Sequence, residues 1–239
     1  MCGISGELKF DGLAPDRRAV ERMTAALARR GPDDSGYYQD GPLAFGHRRL
    51  AIIDLSQRSH QPMVDNERGL SIVFNGTIYN YKLLRAELQT QGFQFLSDGD
   101  TEVILKAYAA WGERCVERLH GMFAFAIWDE TRQILFLARD RLGIKPLYYT
   151  HNQNYLRFAS TPQALLAAGG ADTDIDPIAL HHQLTLHAVV PAPHTILQGI
   201  RKLAPATTMA VDAQGRITTR QYWWLDAQPP SQPKSEQEW

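Results

Sequence analysis

The stretch Met1-Cys2-Gly3-Ile4-Ser5-Gly6-Glu7-Leu8-Lys9-Phe10 opens the chain with a cysteine directly after the initiator methionine. Removal of Met1 would leave Cys2 with both a thiol and a free α-amine. Their ordinary pKa values, about 8.5 for the thiol and about 7.7–8.0 for the amine, allow the amine to take the thiol proton near neutral pH. Cys2 is therefore a candidate nucleophile that carries its own base. Position alone equally allows an ordinary surface cysteine.

A second stretch, Phe74-Asn75-Gly76-Thr77-Ile78-Tyr79-Asn80, predicts an apolar strand that ends in Asn-Gly before a helix begins. At such a corner the Asn75 amide and the Gly76 N–H can both point at one developing oxyanion, an effect worth about 3 kcal/mol per donor. Taken alone, Asn-Gly is more often a simple turn.

Hydrophobic periodicity along the chain predicts many short strands and a few helices, without the regular alternation of a doubly wound sheet. The predicted strands cover 2–10, 43–54, 70–75, 122–129, 133–139, 147–150 and 155–159, with a hairpin formed by 206–211 and 216–223. Helices are predicted from Pro15 to before Gly31, over 81–91, from Thr101 onward, over 164–168 and over 177–187. Turn-rich links at 129–132 and 151–154 predict antiparallel pairing.

Composition narrows the range of partners. The 239 residues include 25 Lys+Arg and 26 Asp+Glu, so no field of one sign exists to attract nucleic acid or an anionic membrane. The longest apolar run, 122–128, is too short to span a bilayer, and the N-terminus lacks a signal sequence. We therefore expect a cytoplasmic protein that binds neither nucleic acid nor a membrane. Its two cysteines are expected to be free thiols, with Cys115 buried and inert.

Seven blocks along the chain carry a family resemblance. They are residues 1–4 (MCGI), 30–33 (RGPD), 47–54 (HRRLAIID), 74–80 (FNGTIYN), 99–103 (GDTEV), 121–125 (GMFAF) and 139–149 (RDRLGIKPLYY). In this order they resemble the glutaminase domain of glutamine-dependent asparagine synthetases, a class II glutamine amidotransferase of the N-terminal-nucleophile hydrolase superfamily. The resemblance implies an α+β fold over 2–225, a four-layer αββα sandwich of two antiparallel sheets.

The resemblance also implies a pocket for L-glutamine. In it Cys2 would attack the side-chain amide to give a γ-glutamyl thioester, with Asn75 and Gly76 as the oxyanion hole. Arg49 would hold the substrate α-carboxylate, helped by the main chain near Ile53, and Asp100 would face the α-ammonium. The family usually has Glu where this chain has Thr77, so one substrate-binding carboxylate is missing.

Residues 181–193 resemble the branch that amidates N-acetylglutaminylglutamine. The family activates the acceptor with ATP and Mg²⁺ in a synthetase domain whose Ser-Gly-Gly-x-Asp-Ser loop does not occur here. We therefore expect no cofactor for this chain, a linker at 226–239, and a C-terminal or separate synthetase partner. The sequence also allows a homodimer.

The spacing of His182 and His187 does not favour a metal site. An asparagine synthetase glutaminase and a non-catalytic glutamine-sensing module remain as alternatives.

Overall fold

The computed structural model describes residues 1–227 of the chain, and its regular elements there are mostly short strands. The strands are β1 Gly3–Lys9, β2 Asp34–Asp40, β3 Leu43–Arg49, β4 Met63–Asp65, β5 Leu70–Ile78, β6 Gly121–Asp129, β7 Ile134–Arg139, β8 Tyr148–His151, β9 Tyr155–Ala159, β10 Arg201–Lys202, β11 Thr207–Asp212 and β12 Ile217–Gln221. The helices are α1 Arg17–Ala26, α2 Tyr81–Thr90, α3 Asp100–Trp111, α4 Cys115–Arg118, α5 Pro162–Ala168 and α6 Pro177–Thr185.

Within the described residues the strands form two six-stranded sheets, ordered β10-β8-β9-β1-β3-β2 and β12-β11-β7-β6-β5-β4. Neighbouring strands in both sheets pair antiparallel. The links at 129–132 and 151–154 join β6 to β7 and β8 to β9 as hairpins, which confirms both predictions.

Three apolar layers hold the sheets and helices together. Ile4 of β1 and Val73 of β5 belong to the layer between the two sheets. Val20 of α1 and Leu165 of α5 pack on the outer face of the first sheet. On the outer face of the second sheet, Ile104 of α3 packs in the third layer, together with residues of α2. This is the αββα sandwich that the resemblance implied.

Two predicted strands have wrong ends, and both errors lie near the candidate site. The strand expected over 43–54 ends at Arg49, because the Arg49 guanidinium binds the main-chain carbonyls of Asp54 and Ser56 and so holds residues 50–56 as a loop. The strand expected over 70–75 runs to Ile78, because residues 75–77 pair with residues 122–124 of β6. Asn75-Gly76 is therefore part of a strand, and the predicted corner is wrong.

Other differences are smaller. Periodicity did not reveal β2, β4 or β10, which are short or only partly buried. Helix α1 begins at Arg17, since the Asp16 side chain caps it by accepting from the Ala19 N–H at 3.1 Å. Helix α6 stops at Thr185, before His187 takes a left-handed φ of 48°. Of the predicted linker, 226–227 have no regular structure and 228–239 lie outside the described residues.

Candidate active site

The strands β1, β3 and β5 meet at one open end of the layer between the sheets. Side chains alternate across a strand, so Cys2 continues the inward face of β1, Arg49 that of β3 and Asn75 that of β5. They line one cavity of about 160 Å³. That cavity is lined by every residue for which the sequence suggested a role, namely Cys2, Arg49, Ile53, Asn75, Gly76, Thr77 and Asp100.

The Cys2 thiol lies half-buried against the loop that follows β3. Its Sγ lies 3.6 Å from the Leu50 carbonyl oxygen and 3.4 Å from the Leu50 N–H nitrogen. Burial raises the pKa of the Cys2 thiol, whereas the Leu50 backbone, the N-terminal ammonium and Arg49 lower it. The Arg30 Nε donates to the Cys2 carbonyl at 3.0 Å, which holds the main chain of the cysteine in place.

The edge of β5 offers one free backbone donor to this cavity. Phe123 of β6 bonds Asp140 through both its N–H and its carbonyl, so Phe123 and Gly76, which lie opposite each other, form a non-hydrogen-bonded pair. The Gly76 N–H consequently points to the open edge of β5. On that edge Gln61 Oε1 caps the Phe74 N–H at 2.7 Å and Asp100 Oδ2 caps the Ile78 N–H at 2.9 Å. No side chain among residues 1–227 caps the Gly76 N–H between them.

Asn75 supplies a second donor from the same strand. Its side chain is buried, and its Nδ2 finds no hydrogen-bond partner within the described part of the chain. A buried amide nitrogen left unpaired costs free energy unless a ligand satisfies it. Glycine is required next to it, because a Cβ at position 76 would lie 2.3 Å from the Met122 carbonyl oxygen. Two unpaired donors on adjacent residues can thus meet one negatively charged oxygen.

Arg49 and the loop that contains Ile53 form another wall of the cavity. The Arg49 Nη1 donates to the Ser56 carbonyl at 3.0 Å, and its Nη2 donates to the Asp54 carbonyl. No carboxylate within residues 1–227 pairs with this guanidinium, which is only 6% exposed. A buried, positively charged fork with no anionic partner fits a ligand carboxylate.

Asp100 provides a negative charge in the lining of the same cavity. It begins α3 and is buried, and its Oδ2 accepts from the Ile78 N–H. Burial raises the pKa of the Asp100 carboxyl, while the bonds from Ile78 and its own helix terminus lower it. Thr77 faces the same cavity from β5 with a neutral hydroxyl. A cation and an anion therefore line a space suited to a zwitterion.

Several lining residues escaped the sequence analysis. Gln61 bridges Phe74 and Thr101, where its Nε2 donates to the threonine Oγ1 at 3.2 Å, although nothing in its local sequence marks it. Lys145 lines the mouth and donates from Nζ to the Met1 Sδ at 3.1 Å. Its position inside the block 139–149 was the available signal, but the spacing did not reveal which side chain turns inward.

The described residues contain no cluster of three or more His, Cys, Asp or Glu side chains that could hold a metal ion. None of the helices in the described part of the chain is long and apolar enough to cross a membrane. Cys115 is buried, as expected, and burial raises the pKa of its thiol to about 12.

The sandwich with a cysteine at the start of its first strand defines the class as an N-terminal-nucleophile hydrolase fold. The glutamine phosphoribosylpyrophosphate amidotransferase from B. subtilis has this fold, with a TM-score of 0.68 at 18% identity over 93% of this chain and 49% of that one. A family model described as glutamine amidotransferase domain matches residues 1–223. The chain belongs to this family.

Two curated relatives show how much of a longer protein the chain represents. Asparagine synthetase [glutamine-hydrolyzing] 3 of Bacillus subtilis is 38% identical over 231 residues, which cover 95% of this chain and 37% of the relative. A putative asparagine synthetase [glutamine-hydrolyzing] of Mycobacterium tuberculosis is 43% identical over 198 residues, 77% of this chain and 30% of the relative. The chain thus spans about a third of the length of these two relatives.

Proposed function

We propose that this chain hydrolyses L-glutamine to glutamate and ammonia, with Cys2 as the nucleophile. The observation that carries the proposal is the convergence of the Cys2 thiol with two unpaired donors, the Gly76 N–H and the Asn75 Nδ2, on one cavity. Family membership supports the same reaction. Removal of Met1 is part of the proposal, since only then does Cys2 carry a free α-amine.

The reaction has two halves. The Cys2 sulfur attacks the side-chain amide carbon, its proton passes to the α-amine, and the carbonyl oxygen becomes an oxyanion that Gly76 and Asn75 stabilise. The carbon–nitrogen bond then breaks, the α-ammonium returns the proton to departing ammonia, and a γ-glutamyl thioester remains. Water, deprotonated by the same amine, attacks the thioester and releases glutamate and the thiol.

Substrate recognition follows from the two opposite charges in the lining of the cavity. Arg49 receives the α-carboxylate, the main chain near Ile53 supports it, and Asp100 receives the α-ammonium. Thr77 contributes a hydroxyl where a carboxylate would add charge. Specificity for glutamine therefore depends on holding both ends of a zwitterion while the amide lies beside Cys2.

We further propose that the ammonia is used by an ATP- and Mg²⁺-dependent synthetase domain, attached or separate. The sequence similarity at 181–193 favours N-acetylglutaminylglutamine as the acceptor, whereas the names of the relatives favour aspartate. Thr185 ends α6 and none of 181–193 lines the cavity. The test is to incubate the chain with a synthetase partner, glutamine, ATP, Mg²⁺ and one of the two acceptors. Mass spectrometry then shows which acceptor has been converted to its amide.

The test of hydrolysis is glutamate release by the purified chain, with intact mass to establish whether Met1 is removed. We expect Cys2→Ala to reduce release to background and Cys115→Ala, at the other, buried cysteine, to retain it. A diazo-ketone analogue of glutamine should alkylate Cys2 and leave Cys115 unmodified. A folded protein that binds glutamine but gives neither turnover nor labelling would be a sensing module, and the proposal would be wrong.

A further inference from the structure

Lys145 is a buried lysine at the mouth of the cavity without a carboxylate partner. It is 4% exposed, and within residues 1–227 no Asp or Glu forms an ion pair with its ammonium. The contact of its Nζ is the Met1 Sδ, at 3.1 Å. No carboxylate therefore balances the positive charge that Lys145 brings to the cavity lining it shares with Cys2.

The main chain of Lys145 is fastened to the strand next to the oxyanion donors. Asp140 Oδ2 accepts from the Lys145 N–H at 2.8 Å and from the Phe123 N–H at 3.2 Å, and Phe123 lies opposite Gly76. The Arg139 Nε donates to the Lys145 carbonyl at 2.8 Å. The Asp140 carboxylate is therefore occupied by backbone donors, and the side chain of Lys145 extends from a rigid base into the cavity.

The other charged side chains near Cys2 already have hydrogen-bond partners in the main chain. Arg49 binds the Asp54 and Ser56 carbonyls, Arg30 binds the Cys2 carbonyl, and Asp100 binds the Ile78 N–H. Burial and the neighbouring Arg30 lower the pKa of Lys145, whereas Asp140 and Cys2 raise it. Removal of Met1 would take away the contact of the Lys145 ammonium and leave it facing the new N-terminus.

We propose that the Lys145 ammonium keeps the α-amine of mature Cys2 in its neutral, basic form at neutral pH and stabilises the thiolate that forms when the thiol gives its proton to that amine. A nearby cation disfavours the charged α-ammonium and favours the thiolate, so one charge promotes both the base and the nucleophile. Lys145 acts through Cys2 and forms no bond to substrate. Its relevance to turnover rests on the proposed glutaminase reaction.

The test is the pH dependence of Cys2 alkylation by iodoacetamide, followed by mass mapping of the Cys2 peptide in the full chain. We expect Lys145→Met to move the midpoint upward by about 0.5–1 pH unit and Lys145→Arg to restore it. Lys202→Met is the matched control, because Lys202 is a partly buried lysine that binds the Val190 carbonyl and does not line the cavity. Its midpoint should equal that of the parent.

An unchanged midpoint in folded Lys145→Met would overturn the proposal, and so would an equal shift in Lys202→Met. Lys145→Gln provides a second neutral variant if the Met variant does not fold. Alkylation needs no glutamine, so the assay is independent of turnover. A shifted midpoint in a protein that releases no glutamate would retain the role of Lys145 and refute the glutaminase function instead.

Discussion

At the scale of single residues, Cys2 is distinguished from an ordinary cysteine by what surrounds it. The second cysteine, Cys115, lies buried in the apolar layer that α3 shares with the second sheet. Cys2 instead lines a cavity beside the Leu50 main chain, and the unpaired Asn75 amide belongs to the same lining. A nucleophile requires access, a base and an oxyanion site, and under the proposed function Cys2 has all three once Met1 is removed, whereas Cys115 lacks access.

Thr77 gives a prediction at this scale. A carboxylate at position 77 would join Asp100 on the wall that we propose receives the substrate ammonium, so Thr77→Glu should lower the KM for glutamine about 3- to 10-fold. Steady-state glutamate release measures the change. Thr77→Gln, of similar size but uncharged, is the matched control and should give no such gain. Equal KM values in both variants and the parent would contradict our assignment of this wall.

At the scale of elements, β5 is the strand around which the site is built. Its outer edge is capped at Phe74 and Ile78 and left open at Gly76, while its face towards the first sheet carries Asn75 and Thr77. His47 of β3 links the sheets behind it, since its Nε2 lies 3.2 Å from the Phe74 carbonyl oxygen. The carbonyl accepts, so this nitrogen carries the proton.

His47 therefore predicts a pH dependence of stability. Burial lowers the pKa of His47 to about 3, against about 6.5 when unfolded. Between these values the unfolded chain binds more protons, so stability is full above pH 6.5 and falls as the pH drops. The slope from this residue is at most about 1.4 kcal/mol per pH unit.

Urea denaturation at pH 7, 6 and 5 measures this slope. In His47→Gln the side-chain amide can still donate to the Phe74 carbonyl but does not titrate, so the free energy of unfolding should decline less steeply than in the parent. His151→Gln, at an exposed histidine, should leave the slope unchanged. Identical slopes for parent and His47→Gln would contradict the assignment of a neutral, buried imidazole.

At the scale of the whole molecule, the first sheet is joined to its helix layer by a buried charge pair as well as by apolar contacts. The Arg157 Nε of β9 binds Glu7 of β1, and their side chains are 8% and 0% exposed. The other Glu7 oxygen accepts from the Asp16 N–H at 2.7 Å, where α1 begins, and the Arg157 Nη1 donates to the Gly169 carbonyl beyond α5 at 2.8 Å. The pair thus connects the first sheet to both of its helices.

Arg157→Met should lower the free energy of unfolding by about 3–5 kcal/mol, because it leaves the Glu7 carboxylate buried without its cation. Chemical denaturation at pH 7 is the measurement. The double variant Glu7→Gln/Arg157→Met removes both charges and should recover a large part of the loss. If the single and double variants are equally destabilised, the loss comes from packing rather than from an unpaired charge.

The sequence by itself determined the class of fold and the identity of the nucleophile candidate. Alternating and continuous apolar runs are local signals, so they predicted most strands, the hairpins and the main helices. Cys2 and the Asn75-Gly76 pair were recognisable because position and residue type each imply a chemistry. Where a local signal was weak, as at β2 and β4, the prediction failed.

Only the tertiary structure decided how these residues meet. The β5 strand continues through Asn75 and Gly76 because it pairs there with Ala124 and Phe123 of β6, and partners this distant in the sequence leave no mark in a local pattern. The free Gly76 N–H depends on the Phe123–Asp140 bonds, and the inward turn of Lys145 depends on the same carboxylate. The opening of the chain thus marks Cys2 as the candidate nucleophile, and long-range hydrogen bonding builds the cavity around it.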